Sequence, residues 1–220
     1  MPTVRRRLIV LIAVASLIVL ATIGVGVYGL IRGPGHPSRA IATAPGSSSS
    51  SSGSSSATAQ GPAVLAQSDD PAVYAEAVAA ALFDWSTTSG YSASDYTAPV
   101  LADADPSGEE LPGLIEDVAG YEPTSEQWTQ LAAMQVSQRL SITSAVLPSL
   151  WGEALAQAHG QLRPGTTAIT ITGVRHRTGV WYGQPQASSS PVSFTIFEAC
   201  SPAFSRCHTL RLSQLNDPLQ

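Results

Sequence analysis

Lysine is absent from this 220-residue chain: all 11 basic side chains are arginine, against 16 acids, for a formal charge of −5. Only 12% of residues carry charge. Nucleic-acid binding needs a basic field over the folded part. The acids lie in that part, so no direct nucleic-acid contact is expected. Two cysteines are too few for a disulfide-rich scaffold or a four-cysteine zinc module. There is no nucleophile elbow, phosphate loop, His-Glu-x-x-His signature or calcium loop. The carboxylates of Glu76 and Asp84 fall on the first predicted helix and read as solvated. Neither catalysis nor a cofactor is expected.

Hydrophobic residues are plentiful, at 44%, and mean hydropathy is +0.12. Much of the excess sits in residues 8–31, LIVLIAVASLIVLATIGVGVYGLI, a run of 24 without a charge. As a helix rising about 1.5 Å per residue it reaches about 36 Å, enough for a hydrocarbon core of about 30 Å. Arg5, Arg6 and Arg7 precede it directly, while Arg32 and Arg39 follow more sparsely. Clustered positive charge stays cytoplasmic, so residues 1–7 are expected inside and the rest of the chain outside. A cleaved signal peptide is the alternative, because Ala42-Thr43-Ala44 resembles a signal-peptidase site. The run is longer than the 7–15 residues of a signal core, which favours an anchor in the lipid bilayer. The arginines fit a twin-arginine signal poorly.

Residues 32–68 are dominated by Gly, Pro, Ser, Ala and Thr, with SSSSSSGSSS at their centre. Such composition buries little apolar area and reads as a flexible tether with an r.m.s. span of roughly 30–35 Å. About 150 residues remain, enough for one domain with a core. In 69–220, Asp70-Pro71 is a helix start. Tyr74, Val78, Ala81, Leu82 and Trp85 follow at helical spacing. Short helices are expected at 94–101 and 109–119, and another after the Thr124–Gln127 capping pattern, through Trp128, Leu131, Ala132 and Gln135. Leu140, Ile142 and Ser144 alternate with polar residues as a strand does, and 150–159 reads as a short helix closed by Gly160. Strands follow at 167–175, around Val192, Phe194 and Ile196, and at Leu210 and Leu212, with 180–182 continuing or pairing with the first. Helices first and strands last define an α+β domain with a largely antiparallel sheet.

Charge divides along this domain. Residues 69–126 hold 13 acids and no base; residues 127–220 hold 3 acids and 6 arginines. One surface should therefore be acidic, either guiding a partner or keeping the domain soluble. Cys200 and Cys207 flank a short loop between the last two strands, where a disulfide is expected in an oxidising compartment. A zinc site adding His208 and His176 is the alternative, against which stand the non-standard spacing and the opposite faces taken by adjacent strand residues. Arg175-His176-Arg177, at a strand end, is a candidate anion-binding or partner-contacting edge, or an exposed turn. His159 suits a helix C-terminus.

The order of parts, a basic tail, one span, a tether, helices and then strands, resembles single-pass assembly components of conjugative type IV secretion systems. The stretches AVAAALFDW, GYEPTSEQW, LRPGTTAITITGVRHRTGVW, PVSFTIFEAC and CHTLRLSQLNDPL also resemble membrane proteins of actinobacterial integrative conjugative elements. They cover much of residues 72–219. The resemblance implies a nuclear-transport-factor-2-like domain, a curved sheet wrapped on helices. It implies a non-enzymatic scaffold role in a DNA-transfer apparatus, with other apparatus or cell-envelope proteins as partners. Some Gram-positive relatives carry two such domains, so self-association here would use copies of this chain. On the same fold, a small-ligand-binding or accessory envelope protein is the alternative, expected to show a closed pocket lined by Trp85, Trp128 and Phe194. An isomerase or cyclase would need an ionisable group in that pocket.

Overall fold

The computed structural model describes residues 61–220. The expected membrane span and most of the tether lie outside them. Among the described residues no helix is long and apolar enough to cross a membrane. Helix α1 (Pro71–Phe83) begins where the sequence places it: the Asp70 side chain accepts a hydrogen bond from the Val73 amide at 3.1 Å, with proline at the first position. Tyr74, Val78, Ala81 and Leu82 are buried along one stripe. Trp85, which the spacing assigns to this helix, instead belongs to the two-residue strand β1 (Trp85–Ser86). The cause is Asp84, whose backbone turns extended and whose carboxylate accepts the Leu140 amide at 2.7 Å, tying the chain to a strand.

Helix α2 (Ala93–Ala102) opens on a Ser92–Asp95 capping box, and α3 (Leu111–Ala119) follows. Helix α4 (Ser125–Ala133) carries the Thr124–Gln127 box and stops before Gln135, whose φ is 51°. Strand β2 (Ser137–Val146) and helix α5 (Trp151–Gln157) lead to β3 (Thr166–Trp181), β4 (Gln184–Ala199) and β5 (His208–Leu212). The strands form one curled, antiparallel sheet in the order β1-β2-β3-β4-β5. The α+β reading holds.

The β3–β4 pair is much longer than alternation alone indicates. It is in register from Thr166↔Ala199 to Trp181↔Gln184, closed by Tyr182 and Gly183 at φ 49° and 73°. Two successive positive φ values make a two-residue turn whose twist matches the strands, and glycine takes the second position without strain. Register places Ile169, Ile171, Gly173, Arg175 and Arg177 opposite Ile196, Phe194, Val192, Ser190 and Ser188 on the face toward the helices. The apolar members of this set form the main core with Tyr74, Val78, Leu82, Phe83, Val100 and Leu114. Gly173 sits where β2 approaches at its bulge; a Cβ there would lie 2.7 Å from the Ser141 carbonyl oxygen. A smaller cluster joins Trp85, Tyr96 and Val136 to Trp128, Leu131 and Met134.

The fold begins earlier than composition indicates. Leu65 is buried in the main core, and the Cys207 amide donates to the Ser68 carbonyl at 2.8 Å. At the other terminus the tail crosses the outer sheet face: Leu219 N donates to Thr195 Oγ1 at 2.8 Å, and Leu150 N to the Gln220 carbonyl at 2.7 Å.

Candidate functional site

Arg175, His176 and Arg177 lie neither at a strand end nor in a turn. They occupy the middle of β3, hydrogen-bonded between β2 and β4. The polar stretch Gln184–Ser190 hides its strand nature, because only pairing makes it extended. Period-two geometry splits the three residues between two faces. Arg175 Nε donates to Ser190 Oγ at 3.2 Å, and Arg177 Nε to Gln138 Oε1 at 2.7 Å. Gln138 is buried and passes the chain on, donating to the Phe83 carbonyl at 2.8 Å. The Arg177 guanidinium also lies 5.5 Å from the centre of the Trp85 ring. Burial, then the neighbouring Arg175, pulls the Arg177 guanidinium below its ordinary value. On the opposite face His176 Nδ1 meets Ser189 Oγ at 2.8 Å.

Neither arginine has a carboxylate partner: ion pairs among the described residues are made by Arg163, Arg206, Arg211 and His208. Ladder pairing with β2 ends at Thr178, the Val180 amide still donates to the Met134 carbonyl at 2.8 Å, and below Ile196 the hairpin lacks β5 in register. It ends in exposed Val180, Trp181 and Tyr182, with the two rings edge to face at 5.0 Å. These residues form a projecting arm that pairs cations held on neutral partners with an aromatic tip.

At the opposite end of the same strands, Cys200 and Cys207 stand at disulfide distance, with Cα atoms 4.1 Å apart. The alternative zinc set does not assemble there. His208 turns its Nδ1 to the Asp103 carbonyl oxygen at 3.3 Å, and His176 is on the arm. The group that does converge on the sulfurs is Glu198, which sequence reading missed. One carboxylate oxygen and both Sγ atoms lie within 4.8 Å of one another. Glu198 is fully buried, neither oxygen has a hydrogen-bond partner, and burial, then Asp70, pushes its carboxyl up to about 9. It is therefore neutral at pH 7. Alternation from Phe194 and Ile196 places it inward, which is the signal that could have found it.

The aromatic residues do not frame a closed pocket. Phe194 stacks on Phe83 at 5.3 Å and meets Tyr121 at 5.2 Å inside the main core. Trp85 and Trp128 touch at 5.2 Å in the smaller cluster. What opens beside Trp85 is a cleft of about 480 Å³ between α1, β1, β2 and the 61–66 segment, with Asp84, Tyr96 and Gln138 in its wall. Burial lifts the Asp84 carboxyl, partly offset by the Leu140 amide. Comparison of the chain with protein-family models, curated proteins and solved structures finds no match in any of the three.

Proposed function

We propose that this chain is a membrane-anchored docking protein without enzymatic activity, its domain outside the cytoplasm. We further propose that the domain has the nuclear-transport-factor-2-like fold and scaffolds a conjugative, type IV secretion-like DNA-transfer apparatus. The observation that carries docking is the packing of Phe83, Tyr121 and Phe194 against one another, where a ligand pocket under the sheet would need space. Interaction is left to the surface, where the arm presents arginines without acidic partners and an exposed aromatic tip. The helix-then-strand order and the curled sheet support the fold assignment. The apolar run at 8–31 supports the anchor, and the quoted stretches support the conjugative role. Partners would be other apparatus or cell-envelope proteins, with further copies of this chain among them.

The test is crosslinking in intact cells, purification from membranes, and measurement of DNA transfer after deletion. Recovery of transfer-channel components and a fall in transfer are expected. Unchanged transfer together with no channel component in the crosslinked fraction would remove the scaffold role. A protein found in the cytosol and shielded from external protease would remove the anchor. A second reading, binding of a small ligand, is favoured by the cleft beside Trp85. A ligand retained through purification and lost in Trp85→Ala would support it.

A further inference from the structure

We infer that the tip of the β3–β4 arm, Val180-Trp181-Tyr182, seats in the headgroup layer of a phospholipid bilayer bearing anionic lipid, a contact that rests on the membrane-anchored reading above. Trp181 is 54% and Tyr182 88% exposed, on a tight turn at the end of two paired 16-residue strands. Tryptophan and tyrosine combine an apolar ring with one polar hydrogen-bonding group, which suits a boundary that is apolar on one side and wet on the other. Three residues offer far less than the roughly 800 Å² per partner of a stable protein interface. They suffice for a body already tethered to the surface it touches, because the second contact is then intramolecular.

Charge and tether agree with this orientation. No acid occurs between Glu153 and Glu198, the stretch that includes the arm, where Arg175 and Arg177 lie; Arg163 of the same stretch sits before β3, paired with Asp105. Arg175 and Arg177 lie roughly 13–20 Å behind Trp181 at about 3.3 Å per residue. The 13 acids of residues 69–126 fall on the helical part. A negative surface therefore attracts the arm and repels the helices. The described residues begin at Gly61, packed against Tyr91 and lining a cleft with Ser137 and Thr178, where β2 pairing of the arm ends. The tether thus emerges at the arm's base.

The test uses the full chain reconstituted in vesicles whose phosphatidylcholine carries bromine near the headgroup, with and without phosphatidylglycerol. All four tryptophans lie in residues 61–220, so emission reports on the domain alone. Shallow bromine is expected to quench part of the emission, more strongly with anionic lipid, and Trp181→Phe to abolish the quenching. Arg175→Gln with Arg177→Gln leaves the tip residues intact and is expected to lose only the dependence on anionic lipid. Quenching equal in wild type and Trp181→Phe, or none at all in a chain that floats with the vesicles, overturns the inference while leaving the anchor standing. A chain that does not float overturns both.

Discussion

Replacing Glu198 with glutamine should change how stability depends on pH more than how large it is. The ordinary glutamate value of 4.5 rises to about 9 in the fold, chiefly because burial strips water from the carboxylate and secondarily because Asp70 is near. Between those values the native state holds a proton that the unfolded chain releases. Stability from this group is complete below 4.5 and is lost as pH rises toward 9. The slope is about 1.4 kcal/mol per pH unit, so pH 5 to 8 should cost on the order of 4 kcal/mol, a large share of a typical domain stability of about 5–15 kcal/mol. Glutamine has nearly the same shape and stays neutral, and its amide is as unpartnered as the protonated acid. The variant should match wild type within about 1 kcal/mol at pH 5 and exceed it by about 4 kcal/mol at pH 8. Urea unfolding of the full chain in detergent micelles, followed by tryptophan emission at each pH, measures the difference. A constant difference from pH 5 to 8 would refute the claim that Glu198 is buried without a partner.

Reduction of Cys200–Cys207, or Cys207→Ala, opens a loop with a sequence separation of 7. It should cost about 2–3 kcal/mol by the loop-closure relation, readable as a lower urea midpoint with and without reductant. Asp117 accepts Arg211 Nε at 2.7 Å, Arg211 Nη2 at 3.1 Å and the Leu212 amide at 2.9 Å, joining α3 to β5. Asp117→Asn weakens these charge-assisted bonds and leaves the half-exposed Arg211 only Glu110, at 3.7 Å, as counter-charge; it should cost about 1 kcal/mol, checked by thermal unfolding. Gly183→Val forces a β-branched residue to φ 73° and should raise the energy of the turn by about 1–3 kcal/mol. Amide exchange should then quicken in residues 176–189 and remain slow in α1.

Local chemistry made the helices legible. Asp70-Pro71, Thr124–Gln127 and the Tyr74–Leu82 stripe each act within a few residues, and the structure uses them as written. Strand signals were legible only where one face is buried, as at Ile169, Ile171, Phe194 and Ile196. On the arm both faces meet water, so nothing alternates, and the Tyr182-Gly183 turn was the remaining clue. Leu65 escaped notice because one leucine in a Ser/Gly/Pro-rich segment has no period. Trp85 fits helical spacing equally well as the last residue of α1 or the first of β1; long-range pairing with Gln138 decides between them. Glu198 was missed because charge is ordinarily read as exposure, although its place in the alternation marks it as inward.

The polar contacts divide the domain along its sheet. Near the Cys200–Cys207 loop, Arg163 pairs with Asp105 at 2.6 Å, Arg206 with Asp103 at 3.0 Å, and Tyr74 donates to Asp103 at 2.7 Å. Arg211 and Asp117 join the same strand, β5, to α3. Helices, loops and the last strand are therefore crosslinked there by charge and sulfur together. At the other end Arg175 and Arg177 rest on serine and glutamine, the Val180 amide donates to the Met134 carbonyl at 2.8 Å, and only the Trp181–Gly183 tip is held by the two strands alone. An arginine on a neutral partner keeps its charge available, whereas one already paired with a carboxylate has spent most of its field locally. The domain thus has one end crosslinked by charge and sulfur, and another whose arginines lack carboxylate partners and whose aromatic tip is exposed. In this chain the 16-residue strands β3 and β4 join the two ends by continuous main-chain pairing from Thr166↔Ala199 to Trp181↔Gln184.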